Sequence, residues 1–189
     1  MKSKKLMKTW IGALLLAGVV CLSTAESKTR TVDLSGCTAQ TAFSPNGEGA
    51  ELIVSTINSA QRSIRMATYS FTEPAIGKAL LDAKKRGVDV AVVVDKEHNG
   101  RRPPGGPSVA SFLAQNGVAV MVSAAYRIQH NKVLIIDGQT VQTGSFNYSR
   151  AAQKDNAENV LVISRCPRLA EDYLRDWSKL RSSATSGVM

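Results

Sequence analysis

The chain has 189 residues, 43% hydrophobic and 21% charged, with only six prolines. That composition excludes a collagen-like repeat, a long coiled coil and wholesale disorder, and the length suits one domain with a full core, too short for two independent catalytic lobes. Two histidines and three cysteines leave almost no material for a zinc site built on repeated Cys/His pairs. The formal net charge of +9 favours anionic partners.

Residues 1–25 read as an export signal. Lys2, Lys4, Lys5 and Lys8 form a basic stretch with no acid nearby, Trp10 to Leu22 is apolar, and Ser23-Thr24-Ala25 places small residues where a signal peptidase cuts. The alternatives are an uncleaved anchor, for which 13 apolar residues are short against the ~20 that span a bilayer, and a lipoprotein cut before Cys21, where Val20 is bulky. A cut after Ala25 leaves residues 26–189 as a single domain with its core at about 38–180. The product is periplasmic or secreted and has no stable membrane association. Losing four lysines leaves 20 basic against 15 acidic side chains, a net of +5. Cys37 and Cys166 remain, an even pair in an oxidising compartment and a disulfide candidate; two free thiols are the alternative.

From Thr38 onward strands and helices alternate. Ala50–Ala60 carries Leu52, Ile53, Ile57 and Ala60 on one helical face. Ser63–Ser70 is a short strand. Pro74 opens a helix striped by Ile76, Ala79, Leu80 and Ala83, which Gly87 ends. Val88–Asp95 is a β-branched run, as in a strand buried on both faces. The basic Gly/Pro-rich segment Lys96–Pro107 follows as a loop, and it contains His98. Ligands of open α/β sheets bind at such strand ends, which makes Arg101 and Arg102 candidate substrate contacts. Next come a short helix at Ser108–Gln115, a strand at Val118–Val122, a hairpin of Lys132–Asp137 and Thr140–Thr143 turning at Gly138, and a strand at Glu158–Ser164. A last helix is striped by Leu169, Tyr173, Trp177 and Leu180, and Ser182–Met189 reads as a loose tail. The fold class is α/β, a mixed β-sheet flanked by helices on both faces.

The chemistry concentrates in His130-Asn131-Lys132-Val133-Leu134-Ile135-Ile136-Asp137 and in Gly144-Ser145-Phe146-Asn147. In a strand, His130 and Lys132 point to the same face, which sets an imidazole beside an ammonium. Ser145 and Asn147 present a hydroxyl and an amide near the same end. A nucleophile, a fixed cation and neutral donors suit a phosphoryl group. Asp137 lies seven residues along the strand, roughly 23 Å at ~3.3 Å per residue, and is expected to be structural.

The full spacing H-x-K-x4-D-x6-G-S-x-N resembles the signature of the phospholipase D superfamily, and with the small size and single motif copy it is similar to that family's small bacterial endonuclease branch. The resemblance covers about Thr38 to Leu180. It implies that His130 is the nucleophile and forms a phosphohistidine, and that Lys132 and Asn147 hold non-bridging phosphate oxygens. It further implies that Ser145 supports the histidine or the phosphate, and that Glu158 accepts a hydrogen bond from the imidazole's other nitrogen. The family mechanism needs two histidines, one to attack and one to protonate the leaving oxygen. This chain has one motif copy, and His98 is not a second, so the resemblance implies a homodimer that shares one site near its two-fold axis. No metal and no other cofactor is called for.

The motif specifies phosphodiester cleavage and leaves the substrate open. Net basic charge, Arg101-Arg102 and Lys84-Lys85-Arg86 favour a largely sequence-non-specific endonuclease acting on DNA, with RNA as a further candidate; the last cluster also suits a helix C-terminus. The alternatives are a phospholipase acting on lipid headgroups, a phosphatidyl transferase and a non-catalytic nucleic-acid-binding module, for which His130 would be superfluous.

Overall fold

The computed structural model describes residues 29–45, 48–99 and 108–186. The expected signal at 1–25, Arg101 and Arg102 all lie outside them. The described residues from Val32 onward belong to one compact unit. No described helix is long and apolar enough to cross a membrane.

The elements in chain order are β1 (Thr38–Ser44), α1 (Glu48–Asn58), β2 (Ser63–Thr68), α2 (Pro74–Lys85), β3 (Asp89–Asp95), α3 (Lys96–Asn99), α4 (Val109–Gln115), β4 (Ala119–Ser123), β5 (Lys132–Ile136), β6 (Thr140–Gly144), α5 (Arg150–Lys154), β7 (Glu158–Ser164), α6 (Pro167–Ser182) and β8 (Ala184–Ser186). Eight strands make one sheet in the order β1-β7-β6-β5-β2-β3-β4-β8. Strands β2, β3 and β4 are parallel, and every other neighbouring pair is antiparallel. The mixed sheet with helices on both faces is the fold class that the sequence predicts.

Period-two alternation builds two cores from the same strands. Ile64, Met66, Val90, Val92, Val94, Leu134 and Ile136 face α1, α2 and α4, where they meet Ile53, Ile57, Ile76, Leu80 and Leu113. The intervening Ala67, Ala91, Val93, Val133 and Ile135 face α6, where Trp177 and Leu180 cover them. Trp177 Nε1 donates to the carbonyl of Met66 at 2.8 Å and so satisfies its buried polar end. Glu73 and Ser108 cap α2 and α4 by accepting from Ala75 N and Ser111 N.

Two expectations need correction, and one strand was not anticipated. Ala184–Ser186 is not loose: β8 pairs with β4 in the register Met121↔Ser186 to Ser123↔Ala184 and covers an edge that would otherwise expose unpaired backbone groups. Thr38–Ser44, with few aliphatic residues to mark it, is the edge strand β1 and pairs along its whole length with β7. His98 is not in a loop; it stands on the single-turn helix α3. The sulfurs of Cys37 and Cys166 are bonded, with a Cα–Cα distance of 5.1 Å, which joins the start of β1 to the start of α6.

Candidate active site

The residues that open β5 and close β6 meet at one end of the sheet. His130 precedes β5 and is exposed, while Lys132 begins that strand and is buried. The Lys132 ammonium lies 3.1 Å from His130 Nε2 and donates to the His130 carbonyl at 2.9 Å. A protonated lysine can only donate, so this contact is a hydrogen bond in the tautomer that carries its ring proton on Nδ1. Burial pushes the Lys132 ammonium below the ordinary lysine range, and the negative charge of Glu158 works against that fall.

Gly144 ends β6 with φ of 145°, and a Cβ there would sit 2.3 Å from the carbonyl oxygen of Asn159. Only glycine allows β7 to approach so closely. The chain then leaves the ladder and presents Ser145 and Asn147. Together with His130, Asn131, Lys132, Thr143 and Tyr173 they line a cavity of about 410 Å³. The buried Oδ1 of Asn147 has no hydrogen-bond partner. This orphan atom is an acceptor, so a donor on a bound group is what would fill it.

Ser145 and Glu158 are hydrogen-bonded to each other. The Ser145 hydroxyl donates to Glu158 Oε2 at 2.5 Å and accepts from Asn159 N at 3.0 Å. Glu158 Oε1 accepts from Asn156 Nδ2 at 3.0 Å. Within the chain, therefore, Glu158 does not accept from His130. Sheet order explains this: β6 lies between β5 and β7, so the two residues start strands about 9.5 Å apart. Within one chain Glu158 orients Ser145 and supports the charge on Lys132.

Asp137 lies at the other end of β5, with φ of 55°. Its carboxylate accepts from the backbone N–H groups of Gln61, Arg62 and Ser63 at 2.9, 2.8 and 2.7 Å. It ties the hairpin to the start of β2 and is far from His130. Of the Lys84-Lys85-Arg86 cluster, Lys85 pairs with Asp82 at 3.8 Å and Arg86 donates to the carbonyls of Ile57 and Asn58 at the end of α1.

Sequence reasoning missed three contributors. Asp95, at the carboxyl end of β3, is buried; its Oδ2 accepts from Gln129 N at 2.8 Å and its Oδ1 from Glu97 N and His98 N. Gln129 Oε1 in turn accepts from Asn131 N at 2.7 Å, so the segment carrying His130 is anchored on both sides. Tyr69, which follows β2, packs its ring 4.6 Å from that of His130. The preference of ligands for the carboxyl ends of parallel strands was the available signal for Asp95 and Tyr69. Among the described residues, no group of three or more His, Cys, Asp or Glu side chains gathers as metal ligands would.

Residues 53–180 match the family described as "Cardiolipin synthase, PLD-like domain". The chain is 36% identical over 151 residues to a protein named Phospholipase D from Rickettsia conorii, covering 80% of this chain and 73% of that one. Nuc from Salmonella typhimurium, a phospholipase D family member of known crystal structure, superposes with a TM-score of 0.75 at 40% identity, covering 81% of this chain and 99% of Nuc. NucT from Helicobacter pylori shares the fold, with a TM-score of 0.72 at 24% identity over 80% of this chain and 99% of that one. The paired imidazole and ammonium, the neutral donors across from them and these likenesses agree: the chain belongs to the phospholipase D superfamily and is a phosphodiesterase of that family.

Proposed function

We propose that this phosphodiesterase is a metal-independent, largely sequence-non-specific endonuclease of the periplasm or extracellular space that cleaves DNA, and RNA as a further substrate. The observation that carries the reading is the His130–Lys132 pair, with Nε2 3.1 Å from the ammonium, at a cavity shared with Ser145 and Asn147. His130 Nε2 attacks phosphorus and forms a phosphohistidine as the bond to the leaving oxygen breaks. Lys132 and Asn147 hold the non-bridging oxygens, and Lys132 supplies the positive charge that a metal ion supplies in other nucleases.

A second imidazole must protonate the leaving oxygen and then activate water. His98 is separated from His130 by the Tyr69 ring, so it does not face the same phosphorus. The second imidazole comes from a second copy of the chain, in a homodimer with the site near its two-fold axis. Exposed Tyr126 and Ile128 beside His130 supply apolar surface for that contact. Net basic charge favours a polyanionic substrate, and contacts to phosphate alone impose little sequence preference.

The name of the Rickettsia relative favours a second reading, hydrolysis of phospholipid headgroups. The test is plasmid and single-strand cleavage by residues 26–189 in excess EDTA, with His130→Ala alongside. Cleavage that survives EDTA and vanishes in the variant is expected. Cleavage abolished by EDTA refutes the mechanism, and a folded dimer that spares nucleic acid but hydrolyses phosphatidylglycerol vesicles moves the substrate to lipid.

A further inference from the structure

The chain's two histidines are 32 positions apart in sequence, yet a single aromatic ring separates them in space. The Tyr69 ring lies 3.9 Å from His98, tilted by 31°, and 4.6 Å from His130, edge to face. The Lys132 ammonium sits 5.4 Å from the centre of the same ring. The arrangement is anchored by backbone contacts on both sides. Asn99 Nδ2 donates to the Tyr69 carbonyl at 2.5 Å and to the Asp95 carbonyl at 3.1 Å, and Asp95 Oδ1 accepts from His98 N at 3.2 Å. Tyr69 is half-buried, whereas His98 is exposed.

An imidazole that served only as packing would be covered. His98 instead lies at the edge of a second cavity, of about 950 Å³, between α2 and α4. Phe112 and Val109 give that cavity apolar walls, and Lys78, Lys85 and Arg150 stand around it. Among the described residues that line it, Asp82 is the acid, and it pairs with the two lysines. A ring already stacked on one side, open beside an apolar slot and bordered by cations, meets the needs of a flat heterocycle joined to phosphates.

We propose that His98, backed by Tyr69, forms a stacking subsite for one unpaired nucleobase, one or two nucleotide steps from the phosphate that His130 attacks. The proposal rests on the nucleic-acid reading above. It gives the enzyme a preference for single strands and other unstacked segments, because a base within a duplex is not free to occupy the slot. It requires no preference among bases, since every base has a π-face.

The test uses short thymidine strands with one central phosphodiester, their other linkages being uncleavable methylphosphonates, so that the register is defined. In companion strands one base near the phosphodiester is removed to leave an abasic sugar, at each position in turn. Wild-type enzyme is expected to lose about tenfold in kcat/KM at one abasic position, the size of one stacked base. His98→Ala should erase that discrimination, cleaving intact and abasic strands alike, and His98→Phe, which keeps a ring, should restore it. A loss in His98→Ala that is the same for intact and abasic strands would mean a merely structural residue and would overturn the proposal. Discrimination that survives His98→Ala would overturn it as well. If folded wild-type enzyme cleaves none of these strands or plasmid but hydrolyses phosphatidylglycerol vesicles, the nucleic-acid reading itself fails, and the cavity beside His98 becomes a place for acyl chains.

Discussion

Asp137 is part of the sequence motif, yet it should affect stability and leave turnover alone. The informative substitution is Asp137→Asn, since asparagine tolerates the residue's φ of 55° at least as well as aspartate. Oδ1 receives Arg62 N and Ser63 N, and Oδ2 receives Gln61 N. Asparagine keeps one oxygen but turns an amide toward one of these donors and removes the charge from all three bonds. Hydrogen bonds to charged groups contribute about 1.5–3 kcal/mol each, and water offsets part of the loss at the exposed Gln61 and Arg62, so the expected cost is about 1–2 kcal/mol. The pH dependence supplies the sharper check. Burial alone would raise the Asp137 carboxyl, but the N–H groups of Ser63, Gln61 and Arg62 and the Arg62 charge outweigh it and hold the group below the usual range. A carboxylate depressed by folding contributes stability above its unfolded pKa of about 3.9 and loses it as pH falls through the folded value. Urea unfolding should therefore show a gap between wild type and Asp137→Asn at neutral pH that closes in acid, with kcat unchanged. A gap that stays constant from neutral pH to about pH 2.5, or a large loss of kcat, would refute the reasoning.

Two further outcomes follow from the structure. Opening the Cys37–Cys166 bond with paired Cys→Ala substitutions frees a closed loop with a sequence separation of 129. The chain-entropy relation puts the cost near 5 kcal/mol as an upper figure, so a loss below about 1 kcal/mol in urea unfolding would mean that the unfolded chain is not the state being constrained. Glu158→Gln removes the charge that sustains the Lys132 ammonium against burial. Lys132 should then lose its proton at lower pH, moving the basic limb of the kcat profile downward; an unmoved limb would detach Glu158 from Lys132.

The parts of the fold that were legible in the sequence are those where side-chain chemistry repeats with the period of the element. Val88–Asp95 and Lys132–Ile136 read as central strands because they are buried on both faces, and α2 read cleanly from Pro74 to its end at Gly87. The strand β1 was hidden because its partner supplies what its composition lacks: of its seven residues only Ala42 and Ser44 are buried. The strand β8 was hidden for a related reason, since its three residues form a strand only because β4 has an edge to cover. At the site, motif spacing placed His130, Lys132, Ser145 and Asn147 on one cavity. It could not place Tyr69 and Asp95, which reach the His130 segment through strand ends brought together by the sheet, or show that Gln129 ties that segment to Asp95.

The same sheet order accounts for the altered role of Glu158. The family resemblance implies that Glu158 serves the imidazole. The topology puts β6 between the strands that carry His130 and Glu158, and fills that strand's end with Ser145, whose hydroxyl takes the carboxylate at 2.5 Å. What crosses the remaining gap is the carboxylate's field, and the nearest group able to respond is the buried Lys132 ammonium. A lysine driven by burial toward neutrality would lose both the hold on a phosphate oxygen proposed for it and its capacity to donate to Nε2. A carboxylate two strands away, close enough to sustain that charge and too far to form an ion pair that would compete with a phosphate, suits both functions proposed for Lys132.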